Sequence, residues 1–313
     1  MTSYQEGVLS LSYGKDSLAC LGAIEKLGLP LTRIIHAEIW ATETISADLP
    51  PMVEFKEKAD EIIKSRWGIE VEHICALKTR GREEANLHTN ISFTEKMQKA
   101  DSWETSKDFP AKLENGVKSS NTKTQRLTYE DVFYRVSRKS GKMYGFPLKG
   151  TTWCVGMLKT ATLDRAFRER SGFGAVQYFG VAADEPERIA RHGNRDGVVL
   201  PLVLAGWDEA YCRKWCEEND LLSPIYTTAT RGGCWFCHNQ GVGQLRLLRK
   251  NYPDLWALLL KWDVDSPVTF HSDGRTVHDF DRRFQLEDEG LIFPDERFRW
   301  SMLDSPIQMR LDI

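Results

Sequence analysis

The chain has 313 residues, with 42 Lys and Arg against 45 Asp and Glu, a net charge of −3 and a mean hydropathy of −0.43. That length can bury one large α/β core or two smaller ones, and no apolar run approaches a membrane span. Residues Met1-Thr2-Ser3-Tyr4-Gln5-Glu6 lack the basic start and apolar stretch of a secretion signal, so the expected setting is cytoplasmic, with no membrane partner. In a reducing compartment the seven cysteines are not read as disulfides.

Val8-Leu9-Ser10-Leu11 reads as an apolar strand running into the turn Ser12-Tyr13-Gly14-Lys15-Asp16-Ser17. Leu18, Leu21, Ile24 and Leu27 follow at helical spacing. A small-residue turn at a helix N-terminus aims backbone amides and the positive dipole end at one spot, which suits an anion. Lys15 adds a full charge, and Ser12 and Ser17 add hydroxyls, so the chemistry suggested is nucleotide binding through phosphates; the alternative is an ordinary strand–turn–helix with a surface lysine.

Arg33–Trp40 reads as a second strand, Pro51–Trp67 as a helix stopped by Gly68, and Ile69–Ile74 as a third, less buried strand. Alternation of this kind implies a parallel sheet with right-handed crossovers, with ligands beyond the carboxyl ends of its strands. The pattern dissolves between about 78 and 149, which reads as a polar insertion with helical pieces at Ser92–Gln98 and Tyr129–Ser137. Within it, Lys118, Lys123, Arg126, Arg135, Arg138, Lys139, Lys142 and Lys149 face only Glu130 and Asp131, with Tyr129, Phe133, Tyr134 and Tyr144 interleaved. The 118–149 segment is either a nucleic-acid-facing surface or a solvated insertion.

A helix at Leu158–Arg170 and a strand at Val176–Val181 resume the α/β pattern. Pro201-Leu202 then marks a turn, and Trp207–Asn219 reads as a helix. Cys20 and Cys75 fit core positions, and Cys212 and Cys216 share one helix face. The remainder, 241–313, reads as a helical appendage opening with a helix at Gln244–Trp262; the main domain is placed at 1–240.

The loop 231–238, Arg231-Gly232-Gly233-Cys234-Trp235-Phe236-Cys237-His238, sets two thiols three apart after a Gly-Gly turn. Such spacing suits a metal or a redox pair, although a redox pair normally opens a helix after a strand. Cys154 is the best remaining thiol, and His238 is either a fourth ligand or a surface histidine. Three thiolates without a clear fourth ligand favour a [4Fe–4S] cluster over Zn2+, because a structural zinc site is normally closed by four protein ligands.

The ordered set Ser12–Ser17, Trp153-Cys154 with Leu158-Lys159, Gly180 with Glu185 and Arg188, Pro201-Leu202, Trp207, Pro224-Ile225-Tyr226 and Cys234-x-x-Cys237 resembles the phosphoadenosine phosphosulfate (PAPS) reductase family of PP-loop ATP pyrophosphatases, over about residues 5–240. The resemblance implies an α/β fold, a doubly wound parallel sheet of adenine nucleotide α-hydrolase type. It also implies that Ser12, Tyr13, Gly14, Lys15, Asp16 and Ser17 bind ATP (with Mg2+), and that Lys15, Asp16 and Ser17 act in catalysis. Glu38, Gly180 and Arg188 would lie at the nucleotide. Three departures stand out: Tyr13 replaces a usual glycine, Gly180-Val181-Ala182-Ala183 lacks the sulfonucleotide-gripping arginine, and no cysteine follows Cys237. The last two argue against sulfonucleotide reduction, and the layout of Cys154 with Cys234 and Cys237 resembles the branch that cleaves ATP to AMP and pyrophosphate in sulfur transfer or nucleic-acid modification, which implies a sulfur donor protein as partner. The alternatives are a sulfonucleotide reductase using an external thiol and a non-catalytic nucleotide- and metal-binding regulator.

Overall fold

The computed structural model describes residues 6–78, 125–138, 140–147, 152–172, 174–227, 232–294 and 298–303. The expected helix at Ser92–Gln98 lies outside them, as do Lys118, Lys123, Lys139 and Lys149 of the basic segment. The chain divides into two compact units, Met1–Val132 with Trp153–Cys234 and Phe133–Thr152 with Trp235–Ile313. The division falls inside the cysteine loop, and residues 133–152, read from sequence as insertion, group with the C-terminal unit. No helix among the described residues is long and apolar enough to cross a membrane.

The first unit is α/β. Its strands β1 (Gly7–Ser10), β2 (Arg33–Glu38), β3 (Val71–Cys75), β4 (Val176–Tyr178) and β5 (Val198–Val199) form one five-stranded sheet in the order β3-β2-β1-β4-β5. Every pairing is parallel, with Leu9 opposite both Ile34 and Tyr178. Side chains alternate between the two faces. Leu9, Ile34, Val176 and Tyr178 pack with α1 (Lys15–Leu27), α2 (Pro50–Trp67) and Leu202, Trp207 and Trp215, whereas Val8 and Ile35 meet Ala166, Leu163 and Phe167 of α4 (Ala161–Arg170). A parallel strand covered on both sides must be apolar on both sides, which is why β1 reads as a continuous run. Each fully buried Leu, such as Leu9, Leu18 or Leu21, contributes about 1.5–3 kcal/mol of transfer free energy.

Local signals end the helices. α1 stops at Gly28, whose φ of 61° is left-handed and whose amide reaches the carbonyls of Ile24 and Glu25. α2 opens on Pro50-Pro51, where the missing amides would have had no acceptor. The helix expected at Tyr129–Ser137 is confined to α3 (Tyr129–Phe133), and a π-helical stretch, Val155–Thr160, leads into α4. Three short elements escape the periodicity argument: α5 (Pro186–His192), β5 and α6 (Pro201–Ala205). Each is too short to show a period. α7 (Glu209–Glu218) is capped by Asp208, whose carboxylate accepts the Tyr211 amide at 2.7 Å.

In the second unit the helix expected at Gln244–Trp262 is two, α8 (Val242–Asn251) and α9 (Pro253–Asp265). Pro253 has no amide to donate and its ring clashes with the preceding turn, so the first helix ends before it. α10 (Val277–Asp288) completes the unit's long helices. Their core is aromatic: Trp235 stacks on Trp262 at 5.7 Å, and Phe133 lies edge-on to Phe146, which in turn meets Phe270.

Candidate nucleotide site

Strand order reverses at β1, which has β2 on one side and β4 on the other, so the β1–α1 turn sits where open parallel sheets usually form a ligand crevice. Two serines shape this turn. The Ser17 hydroxyl donates to the Gly14 carbonyl at 2.9 Å and accepts the Ser12 amide at 3.1 Å, and the Ser12 hydroxyl lies 2.9 Å from it. Both hydroxyls take part in the turn's own hydrogen bonds. The first amides of α1 have no acceptor inside the helix. One of them, Lys15 N–H, donates to the Tyr226 hydroxyl at 3.1 Å.

The Lys15 ammonium is held at 2.6 Å by Asp16 and at 3.0 Å by Glu209, the first residue of α7. Burial opposes its charge, but Asp16 and then Glu209 more than offset this and raise its pKa above the usual lysine value. For Asp16 burial dominates and lifts the carboxyl, with Lys15 pulling the other way. A paired lysine at the mouth of the turn can exchange these carboxylates for phosphate oxygens of like charge. Gly180, just after β4, lies against the turn: a Cβ there would come within 2.7 Å of both Cα and N of Ser17. Only glycine allows that approach. Arg188 folds back onto both oxygens of Glu185, at 2.7 and 2.6 Å, and reaches the Gly180 carbonyl at 3.2 Å.

Tyr13 is the unusual member. Its φ is +56°, a region that costs an L-residue roughly 1–2 kcal/mol, yet its side chain is fully buried. The phenol hydrogen-bonds to Asp60 of α2 and lies 3.2 Å from Nε2 of His73 in β3. His73 donates through Nε2 to Asp60 at 2.8 Å and through Nδ1 to Glu38 at 2.9 Å. Burial disfavours its charge, but the Asp60 and Glu38 bonds prevail and push its pKa up to about 9, so it is an imidazolium at neutral pH. Glu38 has both oxygens engaged, the second accepting from Trp40 Nε1 at 3.2 Å; burial raises its carboxyl, but the His73 bond outweighs this and holds the pKa below the usual range.

A second histidine, His36, lies edge-on to the Tyr13 ring at 4.8 Å. Its Nδ1 is 2.9 Å from the Leu11 carbonyl and its Nε2 is 2.9 Å from the Lys56 ammonium. A carbonyl can only accept and an ammonium only donate, so His36 is the neutral Nδ1–H tautomer. Complete burial and then the Lys56 charge keep its pKa well below normal. Lys56 is paired in turn with Asp48 at 2.5 Å.

The thiols fall into two groups. Cys20, Cys212 and Cys216 are fully buried, and burial pushes all three pKa values up, Cys212 to about 12. The Cys216 thiol donates to the Lys15 carbonyl at 3.2 Å, behind the turn. These are core groups, as the helix spacing suggests; Cys75 is only half-buried. Cys154, Cys234 and Cys237 are also half-buried, the first two in the first unit and the third in the second. Among the described residues no three His, Cys, Asp or Glu side chains form a group that could hold a metal ion. The two residues inside the motif, Trp235 and Phe236, are buried and pack on Trp262. In the basic segment, the Arg126 guanidinium lies 3.6 Å above the Trp40 ring.

No family model, no curated protein and no solved structure matches the chain. Of the residues named from sequence, the structure places Gly180 and Arg188 beside the β1–α1 turn and Glu38 against His73. Sequence reasoning missed Asp60, His73, His36, Lys56 and Glu209, whose only sequence signal is a charged or titratable side chain on an otherwise amphipathic element.

Proposed function

We propose that the chain is an ATP-binding PP-loop enzyme of the PAPS reductase family, with a doubly wound sheet of adenine nucleotide α-hydrolase type, that cleaves ATP to AMP and pyrophosphate. The observation that carries this reading is the buried Lys15, held at the mouth of a β1–α1 turn which sits where the strand order reverses. The order β3-β2-β1-β4-β5, with helices packed on both faces of the sheet, supports the fold reading.

In this reading the phosphates of ATP lie over the first turn of α1 and displace the Tyr226 hydroxyl from the Lys15 amide. Lys15 leaves Asp16 and Glu209 for the β- and γ-phosphate oxygens. An acceptor oxygen attacks the α-phosphorus, the bond to the bridging oxygen of the β-phosphate breaks, and pyrophosphate departs with the electron pair. Lys15 and the helix N-terminus act on the charge that grows there, which is where preorganised dipoles accelerate most. Sulfur displacement of AMP from the adenylated acceptor would place the enzyme in sulfur transfer or in nucleotide or nucleic-acid modification.

Calorimetric titration with ATP and chromatography of the products test the reading. Micromolar binding is the expected result, with pyrophosphate and an adenylated acceptor once an acceptor nucleic acid or nucleotide is supplied, and free AMP once a sulfide donor is added as well. Formation of ADP, or no ATP binding at all, overturns it.

A further inference from the structure

We propose that Tyr13 is the positioning residue of the phosphate turn, anchored through Asp60 to an imidazolium at His73, so that affinity for a nucleoside triphosphate depends on the protonation of His73. The inference rests on the ATP-binding reading above and adds to it a device that a glycine in the same place would lack. Tyr13 occupies backbone space that favours glycine, with its ring fully buried and its hydroxyl engaged by Asp60 and His73. A strained residue persists when its surroundings over-determine it. Those surroundings are a chain of alternating charge, Glu38, His73, Asp60, ending on the phenol of a residue inside the turn. The next residues, Gly14 and Lys15, carry the amides and the charge that face the phosphates. Tyr13 touches no ligand itself, being completely enclosed.

The groups around His73 define what its deprotonation does. From α2 come Asp60 and Lys56, from β2 Glu38 and His36, from the turn Tyr13, and from the loop before α2 Asp48, which reaches the network through Lys56. Lys159 also acts on His36. Below the His73 pKa of about 9 the imidazolium sits between two carboxylates. Above it, Asp60 and Glu38 lose the shared cation and the hold on Tyr13 weakens. In that interval His36 is already neutral, the Tyr13 phenol is raised far above its usual value by burial and then by Asp60, and Lys15 stays charged. The phosphates of ATP have lost their last proton at about pH 6.

The test is ATP titration of the full chain between about pH 7.5 and about pH 10, with His73 and the Gly14 and Ser17 amides followed by NMR across the same range. Wild-type affinity should fall about tenfold, the equivalent of about one pK unit of coupling, with the amides moving on the His73 titration curve. Asp60→Asn should bring the His73 titration down, and the fall in affinity should move down with it. Tyr13→Phe keeps the ring in place, so it should leave His73 titrating high while the affinity becomes lower and independent of pH. Flat wild-type affinity over this range, or a shifted His73 titration with an unmoved affinity profile, overturns the proposal. If wild type binds no ATP at any pH, the functional reading fails instead. The anchor is then judged by the amides alone, and it too fails if they do not follow His73.

Discussion

The two units use buried charge in opposite ways. In the second, Glu287, with its side chain 5 % exposed, receives Arg246 and Arg283 at 2.6 and 2.7 Å, and Arg249 ties α8 to Asp281 at 2.8 Å. The Arg283 guanidinium lies 3.6 Å over the Phe298 ring. Arg246 and Arg249 thereby cross-link α8 to α10, while Arg283 and Glu287 pair within α10. The first unit has such a pair too, Arg33 of β2 with Glu72 of β3 at 2.7 Å, but a second set of charges gathers around the β1–α1 turn, where Lys15 keeps partners that a ligand could replace. Satisfied ion pairs that join elements are scaffolding. Ion pairs gathered around an unusual backbone at the reversal point of a sheet mark a place where charge can be exchanged.

Breaking each kind should separate them. Glu287→Ala leaves two arginines facing a buried gap and should destabilise the chain by about 3–5 kcal/mol in denaturant unfolding, with ATP affinity unchanged at temperatures where the variant is folded. A parallel loss of affinity would break the contrast. Gly180→Ala forces a methyl into the Ser17 backbone, which is unable to yield as a side-chain tip would. Overpacking of this kind costs about 1–3 kcal/mol, and here it should lower ATP affinity as well, as calorimetry would report. Lys15→Ala should lose about 2 kcal/mol of ATP binding, roughly thirtyfold, with a smaller change in melting temperature.

The smallest effect is the pH dependence of stability. The folded pKa of His73, about 9, lies above its unfolded value of 6.5, so its pairing with Asp60 and Glu38 contributes fully below about pH 6.5 and is lost as the pH rises through about 9. Thermal melts should show a modest decline over that interval that disappears in His73→Gln. His73 keeps 30 % of its side chain exposed, which screens the pairs and holds the effect below that of Lys15.

What was legible in the chain was local. The apolar run of β1, the small residues after it and the helical spacing of Leu18, Leu21 and Ile24 needed no tertiary information, because strand, turn and helix signals act within a few residues. Pro253 was equally local, and the single helix at Gln244–Trp262 should have been divided there. Tyr13 was visible as a bulky residue in a turn of small ones, but its reason was not: Asp60 and His73 lie 47 and 60 residues further on. The Cys-x-x-Cys spacing was also visible. Its inner residues, Trp235 and Phe236, are packed on Trp262, a role set by an aromatic core that no short motif encodes.

The sequence by itself determined an α/β unit, a small-residue turn between β1 and α1 and the glycine that lies against it after β4, since each follows from short-range pattern and from which residues lack a side chain. Only the tertiary structure decided which charges meet. The parallel crossovers bring β3 beside β2 and lay α2 against the sheet, so side chains far apart in sequence converge on Tyr13. Pairing energies fall steeply with distance and with access to water, and both are properties of the packed chain.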